Sequence, residues 1–265
     1  MESDRVVLCM RWGALYPAVY VNVLHSAVQR NLSGPLRFVC LTNETEGLAP
    51  GIEAHPIPDL GFSERHWRHG AWPKLSVFLP DLYGLSGRAL FIDLDSVIVG
   101  ALDPLFEGGG FRAIGGGPQW RRGGRPVDPP LLTGVFAFDL GALGHITEAF
   151  RADPGGAFDA FRLEQRFVER HVGAWEPWPP EWVISFKRHL RRPVPLDRML
   201  PPRLPPADAR IVAFHGDPRP IEVVRADTGR WGRFPRYGRG PIDWVRRYWL
   251  ENGYDEAAAD GRLRE

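Results

Sequence analysis

Lysine is nearly missing from this chain of 265 residues: Lys74 and Lys187 are the only two, and the other 31 of its 33 basic residues are arginine. A compact ammonium and a planar guanidinium are not interchangeable at a phosphate or a sugar, so the two places where lysine survives are marked out for a role. Cysteine is as scarce. Cys9 and Cys40 both sit in apolar, strand-like runs, which excludes a disulfide framework or a zinc site and suits buried thiols in a reducing, cytoplasmic setting. No stretch approaches the roughly 18 apolar residues of a membrane span, so the chain reads as soluble. A formal net charge of +1 leaves no dominant electrostatic footprint for nucleic acid. With 44% apolar and 25% charged residues, the proportions are globular and the length suits one large α/β domain.

The order of elements supports that class. Residues 5–11 read as a buried strand and Ala18 to Arg30 as a helix, a β-turn-α opening whose turn places Trp12 and Tyr16 at the carboxyl end of the strand. Either ring could stack on a base or simply pack. Strands follow at 35–43 and 52–58, then a helix beginning near Pro73 and ending before Gly84, with Lys74 in its first turn. Residues 108–130 form a Gly-, Pro- and Arg-rich excursion without a dinucleotide or phosphate-loop fingerprint. A strand at 131–140, helices at 144–151 and 157–171, an extended segment at 182–187 and a last strand at 209–215 complete the pattern. Alternating strands and helices predict a mostly parallel sheet flanked by helices. From Arg225 to Arg247 the chain carries seven arginines among Trp231, Phe234, Tyr237 and Trp244. That basic aromatic face suits a solvated surface or contact with an anionic membrane.

The organising stretch is Arg88 to Gly100, an apolar β-rich run with Asp93 and Asp95 in its middle. Carboxylates in an apolar strand need a cation, a hydrogen-bond cage or an exit to solvent. Residues i and i+2 of a strand point to one side, so both could face one hard cation. A strand that ends at Ile92, leaving the pair solvated, is the alternative. His215, at the end of the last strand, adds an imidazole, and Lys74, Lys187 and Arg219 add cations. Two carboxylates and an imidazole suit Mn²⁺, or Mg²⁺, when substrate phosphates complete the shell.

Taken together, Phe91 to Phe106, Lys74-Leu-Ser-Val-Phe-Leu, Thr133-Gly-Val-Phe-Ala-Phe-Asp139, Glu164-Gln165 and His215-Gly-Asp-Pro-Arg-Pro220 resemble the motif series of nucleotide-sugar glycosyltransferases with the GT-A fold, family 8 in particular. Their order and approximate spacing agree across residues 5–221. The resemblance implies a GT-A, Rossmann-like single domain over 1–222, with residues 223–265 as an extension packed on it. It implies a metal-dependent transfer, with retention, from a nucleotide-diphosphate sugar, a uridine diphosphate sugar foremost, to a glycan, lipid-linked or protein acceptor. Asp93, Asp95 and His215 would hold Mn²⁺ or Mg²⁺. Tyr16, Lys74, Asp93, Thr133, Gly134, Gly216 and Arg219 would bind the donor, and Glu164, Gln165 and Lys74 would serve the chemistry.

The chain departs from that series at several places. Ala213 stands where the family has its histidine, Thr133 where it has asparagine, Glu164 where it has aspartate and Arg219 where it has lysine, and Arg11-Trp-Gly-Ala occupies the first turn in place of acidic residues. A displacement of two along a strand would keep His215 on the same face as the family histidine. Asp93-Leu-Asp-Ser-Val97 is also similar to the nucleophile motif of haloacid-dehalogenase-like phosphatases, and a non-catalytic nucleotide-sugar-binding protein would carry the same donor contacts.

Overall fold

The computed structural model describes residues 5–117, 120, 130–233 and 236–256. Residues 118, 119 and 121–129 of the glycine-rich excursion and residues 234 and 235 of the basic aromatic segment lie outside that description. Eight strands come first in the chain or close behind: β1 (Arg5–Arg11), β2 (Arg37–Thr42), β3 (Glu53–His55), β4 (Arg88–Ile92), β5 (Ser96–Ile98), β6 (Phe111–Gly115), β7 (Leu131–Asp139) and β8 (Trp175–Pro177). Seven of them form one sheet in the order β3-β2-β1-β4-β7-β6-β8. The first four are parallel, β7 runs antiparallel to β4 and β6, and β8 is parallel to β6. β5 leaves this sheet and pairs antiparallel with β10 (Ile211–Ala213), which is parallel to β9 (Val183–Ser185). A short ribbon of β11 (Arg230–Trp231) and β12 (Gly238–Arg239) stands apart.

The period of two along β1 divides the core. Val7 and Cys9 face one layer, built with α1 (Ala18–Asn31), the smaller sheet and the C-terminal helix, while Val6, Leu8 and Met10 face the other. Both faces are covered, as parallel strands require. Helix α1 buries Tyr20, Val23, Leu24, Ala27 and Val28 at helical spacing. Cys9 and Cys40 are register partners on β1 and β2, fully buried and free. The remaining helices are α2 (Glu64–Arg68), α3 (Gly144–Ala152), α4 (Pro154–Phe161), α5 (Glu164–His171) and α6 (Asp243–Glu251). Tyr248 and Trp249 of α6 join the α1 layer, and the Trp249 ring meets Tyr20 at 4.8 Å. The basic segment and the rest of the chain therefore share one core.

Four local expectations change. The run 88–100 is not one strand: it breaks after Ile92, where the Asp93 amide donates to the Gly134 carbonyl at 2.9 Å and the Ser96 amide to the Asp93 carbonyl at 3.1 Å. Asp93 and Asp95 thus ride a turn, and the argument from strand alternation does not apply to them. The segment 157–171 is two helices, parted by Arg162 in a left-handed conformation with φ 60°. The helix at Pro73 is a 3-10 helix, Trp72–Phe78, ended two residues before Pro80. The last strand stops at Ala213, so His215 lies beyond it and the same-face argument for its ligation falls as well.

Candidate active site

The carboxyl ends of β1 and β4 face the same edge of the sheet because the two strands are parallel, and the site is built there. Asp93 is positioned at the exit of β4. Lys74 comes from the first turn of the 3-10 helix, which starts where Ala71 takes a left-handed conformation with φ 59°. Its ammonium lies 2.7 and 2.8 Å from the two Asp93 oxygens and donates to the Thr133 carbonyl at 3.1 Å. Lys74 is 6% exposed. Burial works against its charge, but Asp93 and then Glu164 outweigh that penalty, so the ammonium is held more tightly than usual.

Around this one ammonium stand three carboxyl groups. Burial raises Asp93, with Lys74 pulling the other way. Asp95 is pushed up to about 6 by burial and by the neighbouring Asp93 charge; the Tyr16 hydroxyl donates to it at 3.2 Å. Glu164, at the first position of α5 and 3% exposed, is pushed up to about 7 by burial, which Lys74 only partly offsets. Among the described residues its Oε1 atom has no hydrogen-bond partner, nor has the buried Ser96 hydroxyl. The segment is fixed from behind, because the Glu164 amide donates to the Gly70 carbonyl at 3.0 Å.

These groups line one cavity of ≈ 880 Å³, together with Thr133, Gly134, Gln165, Trp120, Arg188, His215 and Gly216. A second hollow of ≈ 380 Å³ adjoins it through Lys74, Asp93 and Asp95, and its walls are Trp12, Tyr16, Trp67 and the turn between β1 and α1. The structure therefore brings Tyr16, Lys74, Asp93, Asp95, Thr133, Gly134, Glu164, Gln165, His215 and Gly216 to one place. Arg219 is outside it: its guanidinium is held by Glu222 at 2.8 Å and by the Leu15 carbonyl at 3.1 Å, and it lines neither hollow. Arg11, the last residue of β1, is turned to Glu44 at 2.7 Å.

His215 stands across the larger cavity. Its Nε2 is 2.6 Å from the Ser185 hydroxyl, and the Trp120 ring lies 5.8 Å away. Partial burial, then the Lys187 and Arg188 charges, push it down to about 4, so it is a neutral imidazole at pH 7. Among the described residues no three His, Cys, Asp or Glu side chains come close enough together to hold a metal ion. The turn itself is stitched to both sheets, Asp93 to Gly134 of the large one and the Asp95 carbonyl to the Phe214 amide, at 3.0 Å, of the small one. Trp120, Ser185, Ser96 and Arg188 were not foreseen from sequence; Arg188 alone had a signal, lying beside Lys187 in an arginine-rich run. Asp93 as a phosphatase nucleophile would need a free oxygen, and both are engaged by Lys74.

The architecture is that of GT-A glycosyltransferases. The chain superposes on the galactosyltransferase LgtC, crystallised in complex with donor and acceptor sugar analogs, with a TM-score of 0.61 and 12% identity over 97% of this chain and 99% of that one. It superposes on the glycosyltransferase GlyE of Streptococcus pneumoniae TIGR4 with a TM-score of 0.54 and 13% identity, over 97% of this chain and 62% of GlyE. No protein-family model and no curated protein sequence matches the chain. At such identity the likeness is one of fold.

Proposed function

We propose that the chain is a glycosyltransferase that transfers a sugar from a nucleotide-diphosphate sugar to a hydroxyl acceptor, with a divalent cation and with retention at the anomeric carbon. One observation carries the reading: three carboxyl groups share a single buried ammonium at the edge of a GT-A sheet, and two buried polar atoms without partners, Glu164 Oε1 and Ser96 Oγ, line the same cavity. Such a site is built to be completed by a polar, charged ligand.

The residue types suit a hard divalent cation, although among the described residues they do not converge on one point. Asp95 has a hydroxyl as its only side-chain partner and is short of positive charge, and His215 offers a neutral imidazole across the cavity. Asp95, joined by Asp93 and His215 once these give up part of their contacts with Lys74 and Ser185, would hold Mn²⁺ or Mg²⁺, and substrate phosphates would supply the other ligands. When bound, the cation would neutralise charge on the departing diphosphate.

The chain's own side chains do the rest. Lys74 holds Asp93 in place and adds a fixed positive charge at the wall between the two hollows, where a diphosphate would lie. The smaller hollow, with Trp12, Tyr16 and Trp67, suits the base and ribose, and the larger one the sugar and acceptor. Glu164 and Gln165 offer the sugar hydroxyls a carboxyl and an amide. A glutamine-to-glutamate active-site mutant of LgtC has been crystallised, and Gln165 is the corresponding residue type in this cavity.

The test is a panel of nucleotide sugars screened by thermal shift with and without Mn²⁺, followed by product analysis for the donor that binds. A metal-dependent shift with turnover for one donor supports the reading. No shift with any donor, or binding without hydrolysis or transfer to any acceptor, refutes it, the latter in favour of a sugar-nucleotide-binding protein.

A further inference from the structure

Nine large apolar side chains are exposed among the described residues, and five of them fall within eleven positions: Val194, Leu196, Met199, Leu200 and Leu204. Met199 is 79% exposed and Leu204 72%. Exposed leucines scattered singly need no explanation, but a cluster of this kind marks an interaction surface.

The segment is not loose. A buried ion pair, Arg191 to Asp197 at 3.1 Å, pins it from within. The Arg203 amide donates to the Leu190 carbonyl at 2.8 Å, Arg192 donates to the Pro201 carbonyl at 3.1 Å, and a 3-10 turn spans Leu196–Arg198. Six prolines between 193 and 206 restrict the backbone further. The apolar side chains are therefore held outward by a framed scaffold, which lowers the ordering cost of using them.

The charge around the cluster is mostly positive. Between residues 192 and 208 the chain carries Arg192, Arg198 and Arg203 against one exposed acid, Asp208, while Asp197 is buried against Arg191. The same 3-10 turn adjoins the β11–β12 ribbon, where Arg198 and Arg230 lie over the Tyr237 ring at 5.8 and 4.5 Å. Arginine at the rim of an apolar knob, with aromatic rings beside it, matches a surface that is apolar inside and anionic at its face. A protein groove that received the leucines would need acidic partners for the arginines at matched positions, whereas lipid phosphates are mobile and meet them anywhere.

We propose that residues 192–204 form a docking knob for an anionic membrane surface, with Leu196, Met199 and Leu204 entering the headgroup boundary and Arg192, Arg198 and Arg203 meeting lipid phosphates. The π-helix Phe186–Leu190, which brings Arg188 to the larger cavity, leads directly into the knob. The inference stands on the surface alone and is independent of the proposed reaction.

The test is co-sedimentation of the full chain with vesicles of phosphatidylcholine alone and with phosphatidylglycerol added, at low and high salt. Two variants accompany it: the triple change Leu196→Ser, Met199→Ser and Leu204→Ser, which alters no charge, and Met199→Cys carrying an environment-sensitive fluorophore. Labelling is selective because Cys9 and Cys40 are fully buried. The expected result is binding to the anionic vesicles only, weakened by salt, reduced at least about tenfold in the triple variant, with a blue shift of the probe on binding. An unchanged unfolding midpoint for the triple variant separates lost docking from lost folding. Vesicle binding that survives the triple change, or a probe that stays in water while the protein is bound, overturns the proposal. So does sedimentation equilibrium that shows a dimer abolished by the triple variant without vesicle binding.

Discussion

Glu164→Gln separates the electrostatics of the site from its shape. In the folded chain the Glu164 carboxyl titrates near 7 instead of 4.5, burial being the main cause. A carboxyl raised in this way favours folding while it is protonated, and that contribution is lost as the pH rises through the folded value. Between pH 5 and pH 8.5 the loss is about 2 to 3 kcal/mol, from 1.36 kcal/mol for each tenfold change in proton affinity. Glutamine keeps the volume and cannot ionise. Urea unfolding of both proteins across that range should therefore show the variant gaining on the wild type by about 2 to 3 kcal/mol as the pH rises. Taking the difference between the two proteins cancels the titrating groups that Glu164 does not feel, while Asp93, whose charge helps to raise Glu164, contributes to the difference. A difference that stays flat with pH would show that Glu164 ionises as it would in water, and the account of one ammonium shared by three carboxyl groups would be wrong. The same variant should lose transfer activity at every pH at which the wild type works, since the amide can neither ionise nor exchange a proton with the substrate.

Lys74→Met leaves Asp93 buried without its partner and should destabilise the chain by about 3 kcal/mol at pH 8; the loss should shrink towards pH 5 as Asp93, already raised, takes up a proton, which chemical unfolding at the two pH values will show. Tyr16→Phe removes the hydroxyl that helps to keep Asp95 ionised, so carboxyl NMR should find Asp95 titrating above the wild-type value of about 6, and any acid limit of donor binding should move up with it. An Asp95 titration that does not move would place the Tyr16 hydroxyl elsewhere in solution. Gly216→Ala puts a Cβ at φ +75° and 3.2 Å from the Lys187 ammonium; it should cost about 1 kcal/mol in thermal or chemical unfolding, from the left-handed backbone.

The sequence made the large sheet legible because its strands are short apolar runs punctuated by polar turns, and periodicity reads such runs directly. Arg5–Arg11, Arg37–Thr42 and Leu131–Asp139 stand close to where the pattern put them. It failed where a long-range contact overrides a local pattern. The apolar run through Ile92, Leu94 and Val97 continues without a break, yet the chain changes sheets inside it because Gly134 and Phe214, far off in sequence, capture its backbone. Arg162 shows the same effect: nothing local announces a left-handed residue in a helical stretch. For the site, residue types were legible and partnerships were not. Lys74 and Asp93 were each singled out, but their ion pair depends on how a 3-10 helix meets a strand end. For Arg219 the residue type was legible, but not that Glu222, three residues on, would hold its guanidinium.

The turn between the two sheets has a mechanical consequence. Asp93 is moored to the large sheet through Gly134, and Asp95, two residues later, to the small sheet through Phe214. Neighbouring carboxylates are thus tied to different sheets of one core. A slide of one sheet over the other would change their separation, and the close packing of buried side chains from both sheets, Ile92 and Val97 among them, resists it, so the precision of the charge cluster is owed to residues that carry no charge at all.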